Sequence, residues 1–261
     1  METQIGRGII FDMDGVLTDS EWFIAEAARL MFQETHHQAV SHGDFLPFVG
    51  LGENRFLGGV AEKYGIETFD LERDKARTYA IYGDIARGKL KALPGALAFV
   101  RRCRILGCKT ALATSTDYAK MMINLTEIGL AHGAVPGGDG SANHGSPGGA
   151  AAGDRGAAGG DGKANHGAAG VFDALVNGLD VERRKPFPDI FLEAARRIRI
   201  EPRHCWVVED SVGGVAAAKA AGMRCLALLS TFPEGELRAA GADRIVRDLS
   251  CIEPEDLLSG A

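Results

Sequence analysis

The 261-residue sequence predicts an α/β fold: a parallel sheet covered by helices, with a small helical cap inserted after the first strand. Three observations predict it. Beyond Pro94-Gly95, short apolar runs alternate with helical stretches, the pattern of parallel strands joined by crossover helices. Between Asp19 and Lys89 no strand pattern occurs, only apolar positions at helical spacing. Successive strand ends carry acids, hydroxyls and a cation, and ligands of parallel sheets bind beyond the carboxyl ends of the strands.

The elements follow in chain order. Gly8–Phe11 is a continuous apolar run ending at Asp12 and reads as a buried strand. From 20 to 33, Trp22, Phe23, Ala27, Leu30 and Met31 recur at helical spacing. Residues 55–64 and Leu71–Ala86 extend the helical block, with glycine breaks at 50–52 and at Gly65. Residues 96–106 read as helix, 109–114 as strand and 118–130 as helix. Then come a strand at 172–177, a helix at 188–198, a strand at 204–208, a helix at 213–221 and a strand at 224–229. Core residues are therefore expected at 1–19 and 89–261, and the cap at 20–88.

One stretch stands apart. Residues 133–170 hold 14 glycines, 10 alanines and a single large aliphatic side chain, Val135. Such a segment cannot bury enough apolar surface to offset the entropy of ordering it, so a flexible insert is expected. It contains a near-repeat, GGDGSANHG at 137–145 and GGDGKANHG at 159–167. Two copies with no apolar position to stack do not make a β-helix.

Composition excludes several function classes. Hydrophobic residues make up 46% and charged residues 25%, so neither general disorder nor a fibrous repeat fits. The 29 basic residues are outnumbered by 35 acidic ones, for a net charge of −6, which argues against a mainly electrostatic nucleic-acid binder. No apolar run reaches the roughly 18–20 residues of a membrane span. The residues before Asp12 show no secretory or transit pattern, so a cytoplasmic location is expected. The five cysteines are scattered, without a Cys-x-x-Cys pair, as expected in a reducing compartment.

The strand ends carry the chemistry. The first gives FDMDGVLTDS, the second ALATS and the fourth VVEDS, while Lys185 follows the third in RKPFPD. Asp12, Asp14, Glu209 and Asp210 would place up to four negative charges in one cleft, which demands a cation. Oxygen-only ligation suits Mg²⁺, which typically bridges carboxylates and a substrate phosphate. An Asp nucleophile at 12 can form an acyl phosphate, and the acid at 14 can protonate the leaving oxygen. Thr114 and Ser115 offer hydroxyls to phosphoryl oxygens, and Lys185 offers an ammonium to phosphate and nucleophile.

With these residues the sequence resembles the haloacid dehalogenase (HAD) superfamily, in its β-phosphoglucomutase-like branch. FDMDGVLTDSE, ALATS, KPFPDIF and VVEDSVGGVAAAKAAGM match its four motifs between Gly8 and about Leu229. The resemblance implies a Rossmann-like HAD core, Asp12 as nucleophile, Asp14 as general acid/base, Thr114 as hydrogen-bond donor and Lys185 as charge clamp. It further implies Mg²⁺ held by Asp12, the backbone carbonyl of Asp14, Asp210 and a nearby or ligating Glu209. Asp14 speaks against dehalogenase activity, because a halide needs no protonation. The cap segment FLPFVGLGENRFLGGVAEKYGI looks like that of a HAD domain in a multidomain plant chloroplast protein. That likeness leaves a chloroplast stroma location as the alternative, with this chain either a stand-alone relative or one domain of something longer.

Three functions follow from the resemblance. The leading one is a Mg²⁺-dependent phosphatase acting on a small phosphorylated metabolite, a sugar phosphate or nucleotide-like monoester. A phosphosugar mutase is the second; the stretch Glu21-Trp22-Phe23-Ile24 lacks the branch's cap-hinge His, which favours hydrolysis. The third is a regulatory module acting through partner binding. The sequence leaves the oligomeric state open.

Overall fold

The computed structural model describes residues 6–48, 52–131 and 170–259. Of the insert read at 133–170, only Gly170 lies within the described residues. The expected α/β architecture is present. Six parallel strands run in the order β3-β2-β1-β4-β5-β6. They are β1 (Gly8–Phe11), β2 (Lys109–Ala113), β3 (Ala174–Val176), β4 (Cys205–Glu209), β5 (Arg224–Leu228) and β6 (Arg244–Val246). The last was not read from the sequence, because it is an edge strand with only two apolar residues, Ile245 and Val246, both half-buried.

β1 lies centrally between β2 and β4, and Ile9, Ile10 and Phe11 are fully buried. Burial on both faces explains why this strand reads as a continuous apolar run instead of an alternating one. The two faces differ in size. Ile9, Phe11, Leu112, Leu175, Trp206 and Val208 belong to one cluster, where Phe11 meets Phe99 and Phe172 edge-on at 6.2 and 6.0 Å. Ala111, Ala113, Ala174, Cys205, Cys225 and Ala227 belong to the other, with α6 (Asp189–Ile198) and α7 (Val212–Ala220). One-carbon side chains there let both helices lie close to the sheet, which fixes the N-terminus of α7 beside the end of β4.

Between β1 and β2 come α1 (Glu21–His36), α2 (Glu53–Lys63), α3 (Leu71–Ala86) and α4 (Ala96–Ile105). α1 buries Ile24, Ala27, Ala28, Met31 and Phe32, the i, i+3, i+4 stripe of an amphipathic helix. Burying one such Phe or Met contributes about 1.5–3 kcal/mol. Asp70 caps α3 by accepting from the Arg73 amide at 2.8 Å. His36 Nε2 meets Asp74 Oδ2 at 2.8 Å, fastening α1 to α3.

The chain leaving β1 and the chain returning to α4 are stitched together. The Thr18 hydroxyl donates to the Lys91 carbonyl at 2.8 Å, and the Leu93 amide to the Leu17 carbonyl at 2.9 Å. α5 (Tyr118–Glu127) follows β2 and meets α3, where the Tyr82 hydroxyl donates to Asn124 Oδ1. α8 (Glu234–Ala239) and α9 (Pro254–Leu258) complete the chain.

Candidate active site

The sheet register sets the site. Phe11 pairs with Val208, so Asp12 and Glu209 emerge side by side at the ends of β1 and β4. The Asp12 amide donates to the Val208 carbonyl at 3.0 Å, which holds Asp12 in line with the sheet. Lys185 enters on the segment after β3, through a cis peptide to Pro186. Its Nζ lies 2.6 Å from Asp12 Oδ1 and 2.5 Å from Glu209 Oε1, over the Phe191 ring at 4.9 Å.

Glu209 is held on every side. Its Oε2 accepts from the Asp210 and Ser211 amides, both at 2.8 Å, and from the Ser211 hydroxyl at 3.0 Å. These donors lie at the start of α7, where amides without helical partners favour a negative charge. A Cβ at Gly214 would fall 1.8 Å from Glu209 Oε1, so only glycine fits there. Asp210 accepts from the Thr231 hydroxyl through Oδ2 and presses on Gly15. Gly15 has φ +76°, and a Cβ there would come within 1.8 Å of Asp210 Oδ2, so glycine is required on two counts.

Ligand oxygens of Asp12, Glu209 and Asp210 lie within 4.8 Å of one another, all buried. One ammonium, that of Lys185, faces three carboxylates, and the imbalance appears in their acidities. Burial above all, with repulsion from Glu209 and Asp14 and against the pull of Lys185, raises Asp12 to about 7. Burial, then Glu209 and Asp12, raises Asp210 to about 8 despite the Thr231 hydroxyl. Glu209 goes the other way. Burial opposes its charge, but Lys185 and the Ser211 and Asp210 amides outweigh burial and hold its carboxyl below the usual range. An all-oxygen, anionic, buried donor set of this kind fits a hard divalent cation such as Mg²⁺.

The acidities carry a stability prediction. A carboxyl whose folded pKa exceeds its unfolded value stabilises fully below the unfolded value and loses that contribution as pH rises through the folded one. For Asp12 and Asp210 that window runs from the ordinary 3.8 to about 7 and 8. The lowered carboxyls, such as Glu26 and Glu193 at about 2, shed their contribution only in acid. Metal-free protein should therefore melt at falling temperature between pH 5 and 8 in differential scanning calorimetry. A rise over that interval would contradict the assignment.

The other sequence candidates lie nearby in different roles. Asp14 Oδ1 accepts from the Ser20 hydroxyl, and Oδ2 lies 3.1 Å from the Lys120 ammonium. Its carboxylate is thus directed to α1 and α5 and is not part of the three-carboxylate group. Thr114 is buried at the end of β2, where its hydroxyl accepts weakly from the Thr116 amide at 3.3 Å, and Ser115 is half-buried beside it.

Sequence reading missed Ser20, Lys120, Thr231 and the contacts made by Glu53 and Asp117. Thr116 donates its hydroxyl to Glu53 Oε1, and Lys75 Nζ lies 3.1 Å from Asp117 Oδ2. Both contacts join the helices after β1 to the loop after β2.

Comparison with known proteins shows the family and the fold. A family model described as haloacid dehalogenase-like hydrolase matches residues 7–222. The chain is 35% identical to the Arabidopsis thaliana chloroplastic protein SUPPRESSOR OF QUENCHING 1, over 97% of this chain but 20% of that protein's length. It is 29% identical to a phosphorylated carbohydrates phosphatase of Thermotoga maritima, over 97% of each. Among solved structures, CbbY from Rhodobacter sphaeroides in complex with phosphate superposes with a TM-score of 0.71 at 18% identity. That alignment covers 94% of this chain and 96% of CbbY, and it shows a shared fold.

Proposed function

This chain belongs to the haloacid dehalogenase-like hydrolases and is a phosphoric monoester hydrolase of that family, and on that premise we propose a Mg²⁺-dependent phosphatase working through an aspartyl phosphate. The observation that carries it is Lys185, held by Asp12 and Glu209 at once beside the third carboxylate, Asp210. Residues 20–88 act as the cap, and the substrate is a small phosphorylated metabolite.

Asp12 attacks phosphorus through its carboxylate oxygen while the P–O bond to the leaving group breaks. Asp14 gives its proton to the departing alkoxide, then takes one from the water that opens the acyl phosphate. Thr114 and Ser115 donate to phosphoryl oxygens, and Lys185 balances charge on nucleophile and phosphate. Mg²⁺, held by Asp12, Asp210 and the backbone carbonyl of Asp14, with Glu209 alongside, would neutralise part of the phosphoryl charge. Ser20 and Lys120 hold the Asp14 carboxylate.

The first test is phosphate release from a monoester panel with Mg²⁺ and with EDTA. Release should require the metal, and none from folded protein in Mg²⁺ would overturn the reading. Mg²⁺ should also raise the melting temperature by about 5 °C at pH 8 and by less at pH 5, where protons compete for the same carboxylates. Asp14→Asn should cut kcat about 10²–10⁴-fold on alkyl phosphates. On p-nitrophenyl phosphate, whose leaving group needs little protonation, the loss should be smaller. Equal losses on both would remove Asp14 from proton transfer.

A further inference from the structure

Lys120 shares the buried face of α5 with Met121, Asn124 and Leu125 and is only 3% exposed. Lysines are seldom placed so deep unless they are paired. Its Nζ lies 3.1 Å from Asp14 Oδ2, and Glu21 at the start of α1 and Glu53 on α2 add their fields to that of Asp14. Burial works against the ammonium, but these acids outweigh burial and hold Lys120 above its ordinary range. Acids from three separate segments thus fix one positive charge beside the loop that follows β1.

The two oxygens of Asp14 meet different chemistry. Oδ2 faces Lys120, while Oδ1 accepts from the Ser20 hydroxyl. An ammonium has three hydrogens and no lone pair, so a proton on Oδ2 would point hydrogen at hydrogen. A hydroxyl both donates and accepts, so Oδ1 can carry a proton and stay satisfied. The Ser20 hydrogen then has a second destination. The Tyr82 hydroxyl lies within its hydrogen-bond reach, and Tyr82 sends its own hydrogen to Asn124 Oδ1, which leaves its oxygen open to accept.

We propose that Lys120 is a positioning residue for the reaction: it pins Asp14 Oδ2 and so makes Oδ1 the oxygen that gives the proton and takes it back. This rests on the hydrolase reading above and adds to it the residue that aims its acid. In the first step the O–H bond at Oδ1 breaks as the departing alkoxide oxygen gains the proton. In the second, the attacking water loses a proton to Oδ1 as its oxygen bonds to phosphorus. Lys120 keeps its protons throughout. Without the ammonium the carboxyl turns about its Cβ–Cγ bond, and the proton is spread over two oxygens of which one is aimed.

The test measures kcat and KM in Mg²⁺ for wild type, Lys120→Met, Asp14→Asn and the double variant. The substrates are p-nitrophenyl phosphate and the alkyl phosphate that wild type hydrolyses fastest in the monoester panel. Lys120→Met should lower kcat on the alkyl ester about 10²-fold and on p-nitrophenyl phosphate by no more than about threefold, since p-nitrophenolate departs with little need of a proton. KM should change little on either. In the Asp14→Asn background the same substitution should cost nothing further on the alkyl ester, because two residues acting through one group are not additive. Equal losses on both esters, or the full loss repeated in the Asp14→Asn background, mark Lys120 as merely structural and overturn the positioning role alone. If Lys120→Met does not fold, Lys120→Met/Glu53→Gln also removes one of the acids left behind and is judged by the same ratio of kcat values. No release by wild type from any ester overturns the hydrolase reading with it.

Discussion

Asp12→Asn is expected to fold normally and to lose phosphate release by on the order of 10⁴-fold or more, the scale for removing a nucleophile. The amide has nearly the shape of the carboxylate and can still meet Lys185, so the surroundings need not shift. What disappears is the anionic oxygen that bonds to phosphorus, and no other side chain occupies its place at the end of β1. The same change should not cost stability at pH 8. Wild-type Asp12 is charged there only against burial and two like neighbours, Glu209 and Asp14, and a neutral amide is relieved of both burdens. Phosphate release and a thermal melt at pH 8 check the two halves together. An active Asp12→Asn would dismiss the nucleophile, while an inactive variant that melts well below wild type would point to a structural role.

Lys185→Met acts in the opposite direction on stability. It leaves Asp12, Glu209 and Asp210 buried together without the ammonium that now touches two of them. Breaking a buried charge pair from one side costs about 3–5 kcal/mol, or roughly 10 °C of melting temperature for a chain of this size. In EDTA the deficit should be largest at pH 8 and shrink toward pH 5, where Asp12 and Asp210 take up protons. Activity in Mg²⁺ should fall on the order of 10³-fold, as for loss of a preorganised charge at a phosphoryl group. A variant melting with wild type at pH 8 in EDTA would show that the ammonium is dispensable to the carboxylates.

Much of this was legible in the sequence because the chemistry sits where strands stop. Asp12, Thr114, Glu209 and Asp210 lie at or just past strand ends, with Lys185 farther along the segment after β3, and a buried parallel strand is an unbroken apolar run that is easily seen. The supporting residues are harder to read. Lys120 precedes Met121 on α5 and looks like an ordinary solvated helical lysine, and only packing of α5 against α3 turns it inward to Asp14. Ser20 reads as a helix cap, but its hydroxyl is given to Asp14. Thr231 lies beyond β5, outside every motif, and reaches Asp210 because that strand is the neighbour of β4. The sequence groups Asp14 in one cleft with Asp12, Glu209 and Asp210, but the three clustered carboxylates do not include it. The left-handed turn at Gly15 and the returning contact to Thr18 belong to a loop that sends its carboxylate elsewhere. No local pattern encodes these, since each depends on which distant element arrives alongside.

The strand order has a consequence in time. β1 is the first strand made, yet one of its two neighbours is β4, and Lys185 stands 173 residues from the Asp12 it neutralises. Until β4 docks, the edge of β1 that β4 will cover lacks its partner, and Asp12 lacks both its counter-charge and the oxygens around it. Contacts so remote in sequence form late, because the chain between them must first be closed into a loop. Nothing assembled from the earlier elements alone would hold Asp12, Lys185 and Glu209 together. Competence should arise in a single late event, the docking of β4 onto β1, and a nascent chain halted before β4 should be inert however well its helices have formed.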